Sequence, residues 1–341
     1  MIGNNQKQQG GDASINVQAR NINFGLTYDD VKGIFLDLFH ANFIKLSHEA
    51  AETALFRATE LVDQYLSTLA VRAPEALESS NDPDMQYSLF MAQKEYARTG
   101  DKELADILVD ILVDRAKLKE RNLLRLVLNE SLQVAPKLTI AQLDTLSIIF
   151  LLKYTMNNDL LNPSNLKQYL VDFIAPFIDK LTKEISCYQH LEYTACASIS
   201  SGSTYLFNIF NNNYSGLFCK GFSIDKYESI SDKLSKKFIM PCFHNNTLWQ
   251  INVMNEKEID NLNIDAEFIS QVKALQRSNY MNYAELKEYL IELEPKMEIL
   301  FDVWENSMIA NTSLTSVGIA IAHANIRRKT NKDMNLSIWI K

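Results

Sequence analysis

The distribution of glycine limits what this chain can fold into more than any other feature. Gly3, Gly10, Gly11 and Gly25 crowd the start and Gly33 follows, after which residues 34–99 and 101–201 contain none. An interior glycine costs a helix about 1 kcal/mol relative to alanine, so two long stretches free of it predict helix-rich structure. Ten glycines and seven prolines in 341 residues exclude collagen-like chains and most turn-dense sheet folds. A hydrophobic share of 47% is enough to bury a real core.

Local signals place the helices. Thr27 followed by Asp30 reads as a capping box, and Val31, Ile34, Phe35, Leu38 and Phe39 then repeat at helical spacing, with Gly33 inside the run. Ser47 stands before a second apolar stripe that includes Ala51, Ala54, Leu55, Ala58, Leu61 and Val62. Asn81-Asp82-Pro83 supplies a cap and a first-turn proline for residues 85–97, and Gly100 stops that helix. Further helices are expected near 102–119, 120–133, 140–155 and 164–183, with Thr139 and Asn162-Pro163 starting the last two. No repeat period recurs, which argues against a helical-repeat array.

The second half is less uniform. Residues 188–199 and 203–210 read as helical, and the Asn211-Asn212-Asn213 run breaks the pattern. Residues 238–243 and 248–253 read as two strands across a hairpin loop at His244-Asn245-Asn246-Thr247. Asp265 opens a helix, residues 283–310 form a longer one interrupted at Pro295, and Ser313 or Thr315 caps an apolar helix at 317–326. The closing Leu336-Ser337-Ile338-Trp339-Ile340 reads as a third strand of one small sheet. The expected fold class is mainly α: a multi-helix body with a small β element in the C-terminal half and an N-terminal β segment. Its parts are a polar leader with the β segment at 1–25, a helical domain at 26–183, and an α-rich domain with the small sheet at 184–341.

The N-terminal segment is unusual. Ile15, Val17 and Ala19 alternate with Asn16 and Gln18, and the alternation resumes at Ile22 and Phe24 with Asn21 and Asn23 on the other face. A period of two is the strand signature, and the slip at Arg20-Asn21 suggests a bulge joining two short strands. Such a ribbon buries too little to hold itself together in water. It must pair with the edge of the protein's own sheet or with the same segment of a second copy; otherwise it is only a polar leader that happens to alternate. Asn and Gln ladders with interdigitated apolar side chains favour pairing between copies. Ile15, Val17, Ala19, Ile22 and Phe24 are therefore the candidate assembly residues.

Few side chains suggest chemistry. Asp106, Asp110 and Asp114 form one carboxylate row on a helix, and the apolar residues around them make the row read as a narrow solvent stripe with Lys102 and Lys117 as counter-charges. Cys187-x-x-His190 and Cys242-x-His244 offer four zinc-type ligands, but their spacing matches no structural zinc finger, and neither metal nor cofactor is expected. Arg327, Arg328 and Lys329, with Lys332 nearby, form the densest basic cluster. Leu314-Thr315-Ser316-Val317-Gly318 before them has a Leu-Thr-x-x-Gly look found in winged-helix modules, which would set the cluster against a DNA backbone. A cationic helix end stabilised by the helix dipole explains the same residues.

Phosphate-loop, dinucleotide-binding, serine-hydrolase and zinc-protease motifs are all missing from the sequence. A net charge of -8 and a pI near 5.3 argue against a general nucleic-acid coat. The first twelve residues have no apolar core of a secretory signal, and no apolar stretch is long enough to span a membrane. Cys187, Cys196, Cys219 and Cys242 form no closely spaced pair, so free thiols and a cytoplasmic location are expected.

Several stretches together resemble one group of bacterial proteins known by locus-tag names. They are Gly11 to Ala19 (GDASINVQA), Asp82 to Asp101 (DPDMQYSLFMAQKEYARTGD), Leu108 to Arg115 (LVDILVDR), Leu128 to Thr139 (LNESLQVAPKLT), Leu314 to Asn325 (LTSVGIAIAHAN) and the closing LSIWI. The resemblance implies a bacterial cytoplasmic origin and brings no activity or catalytic residues with it. Similar GD-x-S-x-N-x-Q-A leaders occur on bacterial conflict and defence proteins. The expected function is a non-enzymatic, self-associating interaction protein in a bacterial (anti-phage) defence or stress response, a homo-oligomer open to a further protein partner. Two alternatives stand beside it: a DNA-binding regulator using the C-terminal module, and a hydrolase or nuclease whose site has no known motif.

Overall fold

A computed structural model describes residues 27–42, 47–231 and 234–341. Capping side chains set many of the helix starts. Thr27 N–H donates to Asp30 Oδ2 at 3.0 Å and Asp30 N–H donates back to Thr27 Oγ1 at 3.2 Å, which opens α1 (Tyr28–Asn42). α2 (His48–Arg72) follows, and Asp82 caps α3 (Pro83–Thr99), which Gly100 ends at φ 67°. Asp101, Asn122 and the reciprocal Thr139–Gln142 pair start α4 (Lys102–Ala116), α5 (Leu123–Val134) and α6 (Ile140–Lys153). The expected helix at 164–183 is shorter: α7 (Pro163–Tyr169) passes into a π turn at Leu170–Ile174 and a 3-10 turn at Ala175–Phe177, where Pro176 has no amide hydrogen to give.

Beyond this point α8 (Ile185–Tyr193) stops earlier than its apolar pattern suggests. Ala195 takes a left-handed φ of 57°, and the chain becomes strand β1 (Ala197–Ile199). α9 (Leu206–Tyr214), α10 (Ile224–Glu228), the hairpin of β2 (Ile239–Pro241) and β3 (Trp249–Ile251), and α11 (Ala266–Arg277) come next. Pro295 divides the expected long helix into α12 (Tyr283–Leu293) and α13 (Met297–Asn306). β4 (Thr312–Leu314) leads directly into α14 (Ser316–Thr330), which Thr315 caps through Gly318 N–H. The tail is not the third strand its alternation suggested: Leu336–Ile338 is a 3-10 turn, and Trp339 Nε1 donates to the Tyr154 carbonyl at 2.9 Å. The described residues thus carry fourteen α-helices and two separate two-stranded sheets, β1–β4 and β2–β3, both antiparallel.

The main core runs continuously from Val31 to Ile340 and includes residues on both sides of position 183. α14 lies in its middle, packed against α6, α4 and α5, and residues 318–327 are buried without a break. Such a stretch has no solvent-facing side, and its polar residues need partners within the body. Gly318 lets its first turn press onto the carbonyl of Cys196. A satellite core gathers Phe222, Tyr227, Ile239, Ile251, Ile259 and Val272 around the β2–β3 hairpin and α11.

Side chains and one stretch of backbone cover parts of the strand edges. On β4, Leu314 N–H donates to the Tyr154 hydroxyl at 2.7 Å and Lys153 Nζ donates to the Thr312 carbonyl at 2.8 Å. On β1, Ile199 N–H donates to Glu192 Oε1 at 2.9 Å. β3 exchanges two 2.8 Å backbone bonds with Phe222, and Ile251 N–H donates to Gln276 Oε1 at 3.2 Å. β2 contains Pro241, which cannot donate to a ladder and so blunts that edge.

Candidate functional site

The most concentrated charge in the described residues lies where α2, α4 and α14 meet. Arg72 closes the last turn of α2, Asp110 and Asp114 stand one turn apart on α4, Arg327 lies in the last turn of α14, and Asp333 follows it. Arg72 bonds Asp110, and its Nη2 reaches Asp114 Oδ1 at 3.0 Å. Arg327 Nη1 reaches Asp114 Oδ2 at 2.8 Å and lies 3.6 Å from Asp110, while its Nη2 bonds Asp333. Lys117 adds a 2.9 Å bond to Asp114 Oδ1.

The two aspartates titrate differently. Burial pushes the Asp110 carboxyl above its ordinary value, and the guanidinium groups of Arg327 and Arg72 only partly offset this. Burial acts on Asp114 in the same direction, but Arg327 and Lys117 outweigh it and hold that carboxyl below the usual range. Burial, and then Arg327, lowers the pKa of His323 beneath Asp114. The imidazole is therefore neutral near pH 7 and donates from Nε2 to the Met334 carbonyl at 2.6 Å, with Nδ1 4.0 Å from Asp114.

Two clefts flank this cluster. One, of about 550 Å³, runs between the end of α4, α5 and the tail; Leu118, Leu124, Leu128, Met334 and Leu336 line it opposite Asp114, Lys117 and Arg327. The other, of about 450 Å³, is polar and includes Gln64, Arg72, Asp110 and Arg328. Arg327 and Asp333 line both and form the partition between them. An apolar floor with a few convergent polar groups is the usual make-up of a small-molecule cleft.

The structure uses the basic cluster within the body. Besides Arg327, Arg328 Nη1 pairs with Glu103 Oε2 at 3.0 Å. Lys329 Nζ pairs at 2.7 Å with Asp144, a carboxylate only 1% exposed that also accepts from Asn325. Gly318 in the Leu-Thr-x-x-Gly stretch serves the close approach to Cys196, and the helix it opens is enclosed by its neighbours. The carboxylate row is not the solvent stripe expected of it: Asp110 and Asp114 face Arg72 and Arg327, and Asp106 accepts from Gln64 at 2.6 Å. Lys117 meets Asp114 as expected, whereas Lys102 lies 3.6 Å from Glu60.

Ile15, Val17, Ala19, Ile22 and Phe24 lie outside the described residues. The four zinc-type ligands do not converge. Gln142 bridges the Cys187 carbonyl and His190 Nδ1 against α6, whereas His244 Nε2 bonds the Leu217 carbonyl and Cys242 Sγ the Cys219 carbonyl beside the hairpin. Among the described residues no group of three or more His, Cys, Asp and Glu side chains is arranged to hold a metal ion, and the four cysteines are free. Sequence reasoning missed Arg72, His323 and Asp333. Carboxylates on a helix that is apolar in every other direction were the available signal, because such a helix is buried and its charges need partners.

A family model that carries only a locus-tag-style name of the "-like" form matches residues 25–340. The chain belongs to that family. No curated protein matches the chain, and no solved structure does. Among the described residues no helix is long and apolar enough to cross a membrane.

Proposed function

We propose that the protein is a self-associating interaction protein whose helical body is gathered into an assembly by its N-terminal segment. Ile15, Val17, Ala19, Ile22 and Phe24 pair between copies. The observation that carries this reading is the condition of the strand edges on the body. Tyr154, Lys153, Phe222 and Gln276 occupy outward backbone groups of β4 and β3, Glu192 takes the outward Ile199 N–H of β1, and Pro241 interrupts β2. A strand-patterned segment that finds no edge at home pairs with its own kind, since an isolated ribbon cannot offset its ordering entropy. The likeness of the leader to those of bacterial defence proteins supports a role in such a response.

Deleting residues 1–24 tests the proposal. The full chain is expected to scatter light as a large species and the shortened chain as a small one, with the helical circular dichroism unchanged. Equal masses for the two chains would overturn it.

A further inference from the structure

We propose that the cleft beside Arg327 binds a carboxylate carried on an apolar chain, a fatty-acid-like ligand that displaces Asp333. The inference stands on the body alone and does not depend on assembly.

The sign of the ligand's charge follows from counting which polar groups have capacity left. Asp114 has little: Oδ1 accepts from Arg72 and Lys117, and Oδ2 accepts from Arg327. Arg327 has some. Its side chain is only 9% exposed, Nη1 serves Asp114, Nη2 serves Asp333, and the buried Nε has no partner. The Nε and Nη2 hydrogens lie along one edge of the guanidinium plane, the edge that receives a carboxylate through two parallel bonds. Asp333 meets that edge through Nη2 alone, and its own side chain is 61% exposed. It sits just beyond Asn331, which turns the chain at φ 55°, so Asp333 can return to water while the helix stays in place. A bidentate carboxylate would satisfy Nε and Nη2 together.

The rest of the cleft selects the body of the ligand. Leu118, Leu124, Leu128, Met334 and Leu336 give an apolar floor, and about 550 Å³ falls within the range of small-molecule clefts. A bare anion would leave that floor unused, and an uncharged chain would leave the guanidinium edge unmet. Asp333 also borders the second cleft, so its departure joins the two spaces.

Calorimetric titration of the full chain tests this, with decanoate as probe, kept below its micelle-forming concentration. Acetate supplies the headgroup without the chain, and 1-decanol the chain without the charge. Decanoate is expected to bind at least about tenfold more tightly than either. Asp333→Asn removes the internal competitor at an exposed position and is expected to tighten decanoate about threefold. Leu124→Glu, checked for an unchanged circular dichroism spectrum, is expected to weaken it about tenfold. No decanoate binding, equal binding of decanoate and 1-decanol, or unchanged affinity in both variants would overturn the proposal.

Discussion

At Gly318 a methyl group would stand 1.9 Å from the carbonyl oxygen of Cys196, a contact that neither backbone can relieve without separating α14 from the start of β1. Gly318→Ala is therefore expected to lower stability by at least about 2 kcal/mol, read as a lower urea midpoint. Lys153 holds its surroundings differently. Its Nζ donates to the carbonyls of Ile309, Ala310 and Thr312 at 2.8–2.9 Å, stands over the ring of Trp304, and has its pKa lowered by burial to about 8. Lys153→Met keeps the apolar stem and strands those carbonyls, and a loss of about 2–3 kcal/mol is expected in the same denaturation measurement. Caps such as Thr27–Asp30 and Thr139–Gln142 were legible because both partners lie within one turn of sequence. The partners of Lys153 lie more than 150 positions away, and no local pattern announces them.

α4 shows the same limit at the level of an element. Its extent and apolar character were readable, but the partners of its carboxylates come from α2, 38 and 42 positions earlier, and from α14, 213 positions later. The carboxylate row was visible and its direction was not, because periodicity reports a face without reporting what covers it. The α4–α14 contact makes stability depend on pH. His323 has a folded pKa below 6.5, so as pH falls below 6.5 the unfolded chain takes up a proton that the fold resists, and stability is lost toward the folded value. The lowered Asp114 acts likewise in more acidic solution: its contribution is present above 3.8 and lost as pH falls through its folded value. Asp110 opposes it, because its raised pKa stabilises the fold below 3.8 and that gain disappears as pH rises through the folded value. His323→Gln can keep a donor for the Met334 carbonyl without the titration. The fall in melting temperature between about pH 7.5 and about pH 5.5 is expected to be smaller in the variant than in the parent.

For the molecule as a whole, the helical character and the β2–β3 hairpin were legible from glycine spacing and alternation. The third strand was misread because Trp339 packs against Phe150, ring centroids 4.9 Å apart, and the tail closes the core instead of extending a sheet. The central place of α14 could not be foreseen either, since its weak amphipathicity looks the same for a helix enclosed by others and for one of mixed composition. The consequence for stability is direct. A chain ended after Thr315 is expected to show no cooperative thermal transition by circular dichroism and to be digested rapidly by protease, while the chain lacking residues 1–24 keeps its transition.

A ribosome emits residues in order, and the helix that fills the middle of this bundle follows the three it packs against by more than 150 positions. Until it emerges, α4, α5 and α6 surround an unfilled seam, and the contacts that close the seam are long-range ones that form slowly. Messages cut short before this helix would release chains with that seam open, ready substrates for chaperones and quality-control proteases. The core therefore stays open until this last of its helices has been made.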